Sequence, residues 1–140
     1  MATWQYELFD PPAESRAREL WLQHAAGFIF FEDVRRYALE RIDHALTGEA
    51  RLAVEKGIDD AIYGLMMVID GVTGGISNAN YNVFIEFVVH LRAKGDASTG
   101  LVPSQVNLRD GDGMCMGYHG WIEGDFGKNP VAAARSSSEK

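Results

Sequence analysis

The hydrophobic repeat of this chain changes period across one glycine- and asparagine-rich segment, and that change dictates a mixed fold. Before it, Val54, Ile58, Ala61, Ile62, Leu65 and Ile69 recur at three- and four-residue spacing, which predicts a helix over residues 49–70. After it, Tyr81, Val83, Ile85, Phe87, Val89 and Leu91 alternate with Asn82, Phe84, Glu86, Val88, His90 and Arg92, which predicts a long strand. Residues 71–80 lie between and carry three glycines and two asparagines, residue types that tolerate positive φ, so they read as a connecting loop. A helical half must therefore pack on a strand-bearing half.

The flanking segments extend both halves. Trp4, Tyr6 and Leu8 alternate with Thr3, Gln5 and Glu7 in a first short strand. Asp10 followed by Pro11 and Pro12 reads as a helix start, with Ala17, Leu20, Trp21 and His24 on one face and Gly27 as the stop. Phe31, Val34, Ala38, Ile42 and Ala45 form the apolar stripe of a second helix over residues 29–46. After a turn at 95–101, residues 102–109 return as a partner strand with Val106 and Leu108 inward. The closing segment places Gly113, Gly117, Gly120 and Gly124 opposite Met114, Tyr118, Trp121 and Ile122, a short helix whose glycine stripe admits close approach by another backbone. The expected architecture is α+β: an antiparallel sheet of about three strands with three to four helices packed on one face. Residues 1–127 form one domain and 128–140 a flexible tail.

Charge narrows the function classes. Thirteen Lys and Arg against twenty Asp and Glu leave a net charge of −7, which disfavours nucleic acid and anionic membranes as partners. The acid is concentrated where base is missing: Asp59, Asp60, Asp70 and Glu86 between Lys56 and Arg92, then Asp110, Asp112, Glu123 and Asp125 between Arg109 and Lys128. The longest apolar run, residues 65–69, is far below the roughly 18 to 20 residues that span a bilayer. A lone Cys115 makes no intramolecular disulfide, and the N-terminus has no basic n-region, so a reducing cytoplasm is the expected compartment.

No spacing spells a reaction. Asp110 and Asp112 alternate as calcium ligands do, but Met114 and Trp121 stand where an EF-hand needs an acid or amide and a glutamate, so the two aspartates read as a turn capping the next helix. Cys115 and His119 lie one turn apart and could serve as nucleophile and base, yet no second ligand pair accompanies them. A buried structural thiol is the plainer reading. Glu86 and His90 fall on one side of the long strand as an exposed pair. Residues 71–77 lack the Gly-Lys-Ser/Thr ending of a phosphate loop. No cofactor is expected.

The stretch Asp60-Ala-Ile-Tyr-Gly-Leu-Met-Met-Val-Ile-Asp-Gly71, with the closing Tyr118-His-Gly-Trp-Ile-Glu-Gly-Asp-Phe126, resembles small uncharacterised bacterial proteins, some of which accompany toxins as immunity proteins. The resemblance spans residues 59–127 and carries no catalytic residue. It implies an acidic, non-catalytic, immunity-like or inhibitor-like binding protein that occludes a basic protein partner such as a toxin. Asp59, Asp60, Asp70, Asp110, Asp112, Glu123 and Asp125 are the expected contact residues. Two alternatives stand beside it. One is a small metal- or thiol-dependent hydrolase centred on Cys115 and His119; the other is a homodimeric ligand-binding or scaffold domain, with Phe84 and Val88 on the outer face of its sheet.

Overall fold

A computed structural model describes residues 2–95 and 104–136. Among them, strand β1 (Tyr6–Leu8) is followed by helix α1 (Ser15–Phe30), which runs without a break through a π-helical turn (Phe31–Arg35) into the short α2 (Arg36–Leu39). Helix α3 (Gly48–Ile69) follows, then strands β2 (Gly75–Ser77), β3 (Asn82–Phe84), β4 (Val88–Leu91) and β5 (Ser104–Asn107), helix α4 (Met114–Trp121) and strand β6 (Ala132–Ala134).

The first helix starts at Glu14, not at Asp10. The Glu14 carboxylate accepts the amides of Arg16 and Ala17 at 2.9 and 2.6 Å, an N-cap one turn beyond the prolines. Nor does it stop at Gly27. A Cβ there would lie 2.4 Å from the Trp121 indole, so this glycine admits a ring against a helix that continues. Gly117 of α4 meets the same ring at the same distance, which accounts for part of the glycine stripe.

Helix α4 packs on both α1 and α3 and completes the main core, in which Phe31, Ile62, Met66, Ile69, Leu108, Met114, Tyr118 and Trp121 meet. Met66, Ile69 and Met114 are its most deeply buried side chains, each contributing about 1.5–3 kcal/mol by removal from water. A second cluster gathers Trp21, Leu22, Ala25 and Val131 under β4, β5 and β6.

The mixed class stands, but among the described residues the strands form no single three-stranded sheet. They make three separate antiparallel pairs: β1 with β6, β2 with β3, and β4 with β5. The long strand over 81–92 divides at 85–87, its first half pairing back to β2 and its second half forward to β5. At the break the Phe87 carbonyl accepts the Leu108 amide at 2.9 Å and the Phe87 ring meets Phe30, with centroids 6.4 Å apart. Residues 71–80, expected to be a connector only, supply β2. The expected tail also differs: Val131 is buried and β6 pairs in register with β1, Tyr6 opposite Ala134 and Leu8 opposite Ala132. Of that strand, Ala132 packs against the cluster formed by Trp21, Leu22, Ala25 and Val131. The first part of the 95–101 turn is described to Gly95; residues 96–103 and 137–140 lie outside the described residues.

Candidate functional site

Most of the carboxylates expected to meet a partner are engaged within the chain. Asp59 on α3 takes the Arg35 guanidinium at 2.6 Å, joining α3 to the π turn. Asp60 pairs with Lys56 one turn earlier on the exposed face of α3. Asp70, at the end of α3, accepts the amides of Met114 and Cys115 at 2.6 and 2.9 Å. It therefore caps α4 from another element, the role expected of Asp110 and Asp112. Asp112 instead accepts from Gln23 at 3.0 Å and from Arg16, while its own amide donates to Gln23 at 2.7 Å. The Arg16 hydrogen bond holds the Asp112 carboxyl below its usual range. Asp125 accepts the Gly127 amide at 3.0 Å. Asp110 and Glu123 are exposed, with no side-chain partner among the described residues.

Cys115 and His119 each have other neighbours. Burial, then the hydrogen bond to Asp70 and its charge, push the Cys115 thiol up, opposite to the direction that exposes a thiolate. His119 lies against the Tyr63 and Tyr118 rings, with centroids 5.8 and 6.0 Å away. Tyr118 is pushed up to about 12, by burial first and then by Asp59. Glu86 falls in the break between β3 and β4, so it shares no strand with His90, which stands opposite Gln105. Among the described residues no group of three or more His, Cys, Asp and Glu comes together to hold a metal ion, and no helix is long and apolar enough to cross a membrane.

Three further polar arrangements hold side chains in place. The Trp121 indole N–H donates to Nδ1 of the half-buried His24 at 2.9 Å. Glu32, buried in the π turn, accepts the Arg36 guanidinium at 2.9 and 3.4 Å. Its neighbour Asp33 accepts the Thr3 amide at 2.9 Å and the Thr3 hydroxyl, fastening the N-terminal segment to the helix. The first and last of these pairs join residues 97 and 30 positions apart and leave no periodic trace, whereas Glu32 and Arg36 stand at the four-residue helical spacing.

Besides Asp110 and Glu123, an apolar feature stands exposed. The β2–β3 hairpin stands off the core with every residue exposed, and Ile76, opposite Val83, is 80% accessible and Val83 67%. Tyr81 is 75% accessible, and Val72 and Ile85 flank the hairpin with most of their surface in water. The turn is firmly built: the Asn78 side chain accepts the amides of Asn80 and Tyr81 at 2.9 and 2.8 Å, and the Asn78 amide donates to the Tyr81 carbonyl at 2.9 Å. At the base, Phe84 lies under the Arg109 guanidinium, 5.2 Å from the ring centroid, and Arg109 also fills the space beside Gly71, where φ is +76°. Phe84 and the Ile76–Val83 pair are on opposite faces of the ribbon, because the register alternates. The ribbon thus turns Phe84 to the body and its aliphatic pair to solvent, the reverse of a half-buried strand. A two-stranded ribbon without a covered face is marginal in water, so this arm is an unusual thing for a chain to build unless something covers it.

The sequence matches no protein-family model, and no curated protein or solved structure matches it.

Proposed function

We propose that this chain is a non-catalytic binding protein that works through the apolar arm formed by residues 72–85. The observation that carries the reading is the ordered hairpin with Ile76, Tyr81 and Val83 in water and no core beneath them. Patches of this kind on a small protein mark interaction sites. The occluding, immunity- or inhibitor-type role implied by the resemblance belongs to the same class, since it needs a complementary surface and no reactive group. Its electrostatic form has less support: Asp59, Asp60, Asp70, Asp112 and Asp125 already serve the fold, leaving Asp110 and Glu123. A hydrolase at Cys115 has less again, because the thiol is pushed up.

Affinity capture from extracts of the source cells, run at low and high salt, separates these surfaces. Wild type, Ile76→Asp/Val83→Asp and Asp110→Lys/Glu123→Lys serve as baits. An apolar docking arm retains its partner at high salt, loses it with the first variant and keeps it with the second. Capture that is abolished by salt and by the second variant, but not by the first, would overturn the arm in favour of the carboxylates.

A further inference from the structure

We propose that His24 is a proton-operated latch: a proton taken up at Nδ1 breaks its hydrogen bond to Trp121 and releases the C-terminal segment, residues 125–134, from α1. The bond itself carries the inference. Nδ1 accepts the Trp121 indole N–H at 2.9 Å, and an indole can only donate, so a protonated Nδ1 sets two donors face to face. Neither ring has room to adjust in place. The indole fills the space beside Gly27 and Gly117, and the imidazole fills the space beside Gly127, where a Cβ would lie 2.6 Å from His24 Cδ2. The charged groups around His24 attract the proton without replacing the lost bond. Asp125 and Asp112 draw it in, although Arg16 already engages Asp112. A cavity of about 160 Å³ opens beside the imidazole, lined by Ala17, Leu20 and Trp21 of α1 and by Lys128 and Asn129. An imidazolium that swings into it approaches Lys128, a like charge carried by the segment itself.

The segment depends on the ring that the proton displaces. Phe126 stacks on Trp121 at an interplanar angle of 9° and meets Phe28 and Phe31 edge-on, so a shifted indole disturbs it directly. Beyond Phe126 the segment is held by Val131 in the second cluster, by the Pro130 carbonyl, which accepts the Trp21 indole N–H at 3.1 Å, and by the pairing of the three-residue β6 with β1. Short elements of this kind open at less than the global unfolding free energy. Release uncovers Trp21, Leu22 and Ala25, an apolar face of α1 now packed against Val131 and Ala132. Burial lowers the His24 pKa while the segment is docked, and release returns it toward about 6.5. Each pH unit below that value therefore favours the released form by up to about tenfold, until the docked form takes the proton as well.

A pH titration of the full chain by NMR tests this. The Trp121 indole N–H resonance and the His24 ring resonances should move with one midpoint below about 6.5. Amide protection, corrected for the intrinsic pH dependence of exchange, should fall about threefold or more over residues 125–134 as that midpoint is crossed, while α3 stays protected. His24→Asn, which keeps an acceptor for the indole and does not titrate, should leave the segment protected across the range. Asp125→Asn keeps an acceptor for the Gly127 amide and removes one attracting charge, so it should move the midpoint of both resonances and of release to lower pH. An indole resonance that stays still while the His24 ring titrates overturns the proposal. So does a segment that loses protection equally in His24→Asn, or a loss that α3 shares from the start. If His24→Asn does not fold, Asp125→Asn decides: release that fails to follow the His24 midpoint to lower pH overturns the latch.

Discussion

Trp121 shows how one side chain is fixed by contacts from three directions. Its indole lies against Gly27 of α1 and Gly117 of α4, stacks on Phe126 with an interplanar angle of 9°, and donates to His24. Trp121→Ala should cost about 3–5 kcal/mol in denaturant unfolding, as large aromatic truncations in cores do. The acceptor is His24 Nδ1, so the imidazole must be neutral with its proton on Nε2. Burial holds its pKa below the ordinary value, against the opposing pull of Asp125 and Asp112. The unfolded chain therefore binds the proton first as pH falls. The stabilisation is complete above about 6.5 and is lost progressively as pH falls through the folded-state pKa. Thermal melts between about pH 7 and pH 5 should show a falling midpoint, and His24→Asn, which keeps an acceptor and cannot titrate, should flatten that slope.

Among the elements, α1 gives the sharpest test of the packing. An interior helical Gly→Ala change ordinarily stabilises by about 0.5–1 kcal/mol. Gly27→Ala should do the reverse, because the new methyl must displace the Trp121 ring, and overpacking of this kind costs about 1–3 kcal/mol. Chemical denaturation that finds Gly27→Ala more stable than wild type would remove the α1–α4 contact as drawn. The same glycine marks the boundary of what spacing reveals. The periods of α3 and α4 were legible where a stripe is covered: Ile58, Ile62, Leu65 and Ile69 on α3 and Met114, Tyr118 and Trp121 on α4 meet the core, while Val54, Ala61 and Ile122 of the expected stripes are exposed and the buried Met66 lay outside them. Gly27 read as a stop, since a glycine needed for close approach and a glycine ending a helix look alike in one dimension. The alternation over 81–92 was equally clear, yet alternation says which side chains share a face and nothing about which strand lies alongside. Its two halves therefore found different partners, and the apolar arm that emerged from its first half was not visible beforehand. The Asp70 cap was hidden for a related reason: it joins residues 44 positions apart.

On the scale of the whole molecule, the two ends of the chain close on each other. The Val131 carbonyl accepts the Phe9 amide at 2.9 Å, Arg135 donates from its backbone amide to the Gln5 carbonyl at 2.9 Å, and Pro130 accepts the Trp21 indole N–H at 3.1 Å. Deleting residues 128–140 should therefore destabilise the protein by about 2–4 kcal/mol, from loss of the buried Val131 and the β1–β6 hydrogen bonds, where a frayed tail would cost nothing. The −7 charge takes on a different meaning at this scale. Of the acid that concentrates in two stretches, Asp59 and Asp112 join separate elements and Asp70 caps α4, while Asp110 and Glu123 stay exposed.

Hydrogen exchange along the chain reads that surface most directly. In dilute protein the amides of residues 75–84 should exchange fast, as in a ribbon without a covered face, while those of α3 and α4 stay protected. When the arm is occupied by a captured partner, protection should rise over residues 72–85 and leave Asp110–Glu123 unchanged. Protection that appears around Asp110 and Glu123 instead, with the arm still exchanging freely, would contradict a binding protein that works through its apolar hairpin.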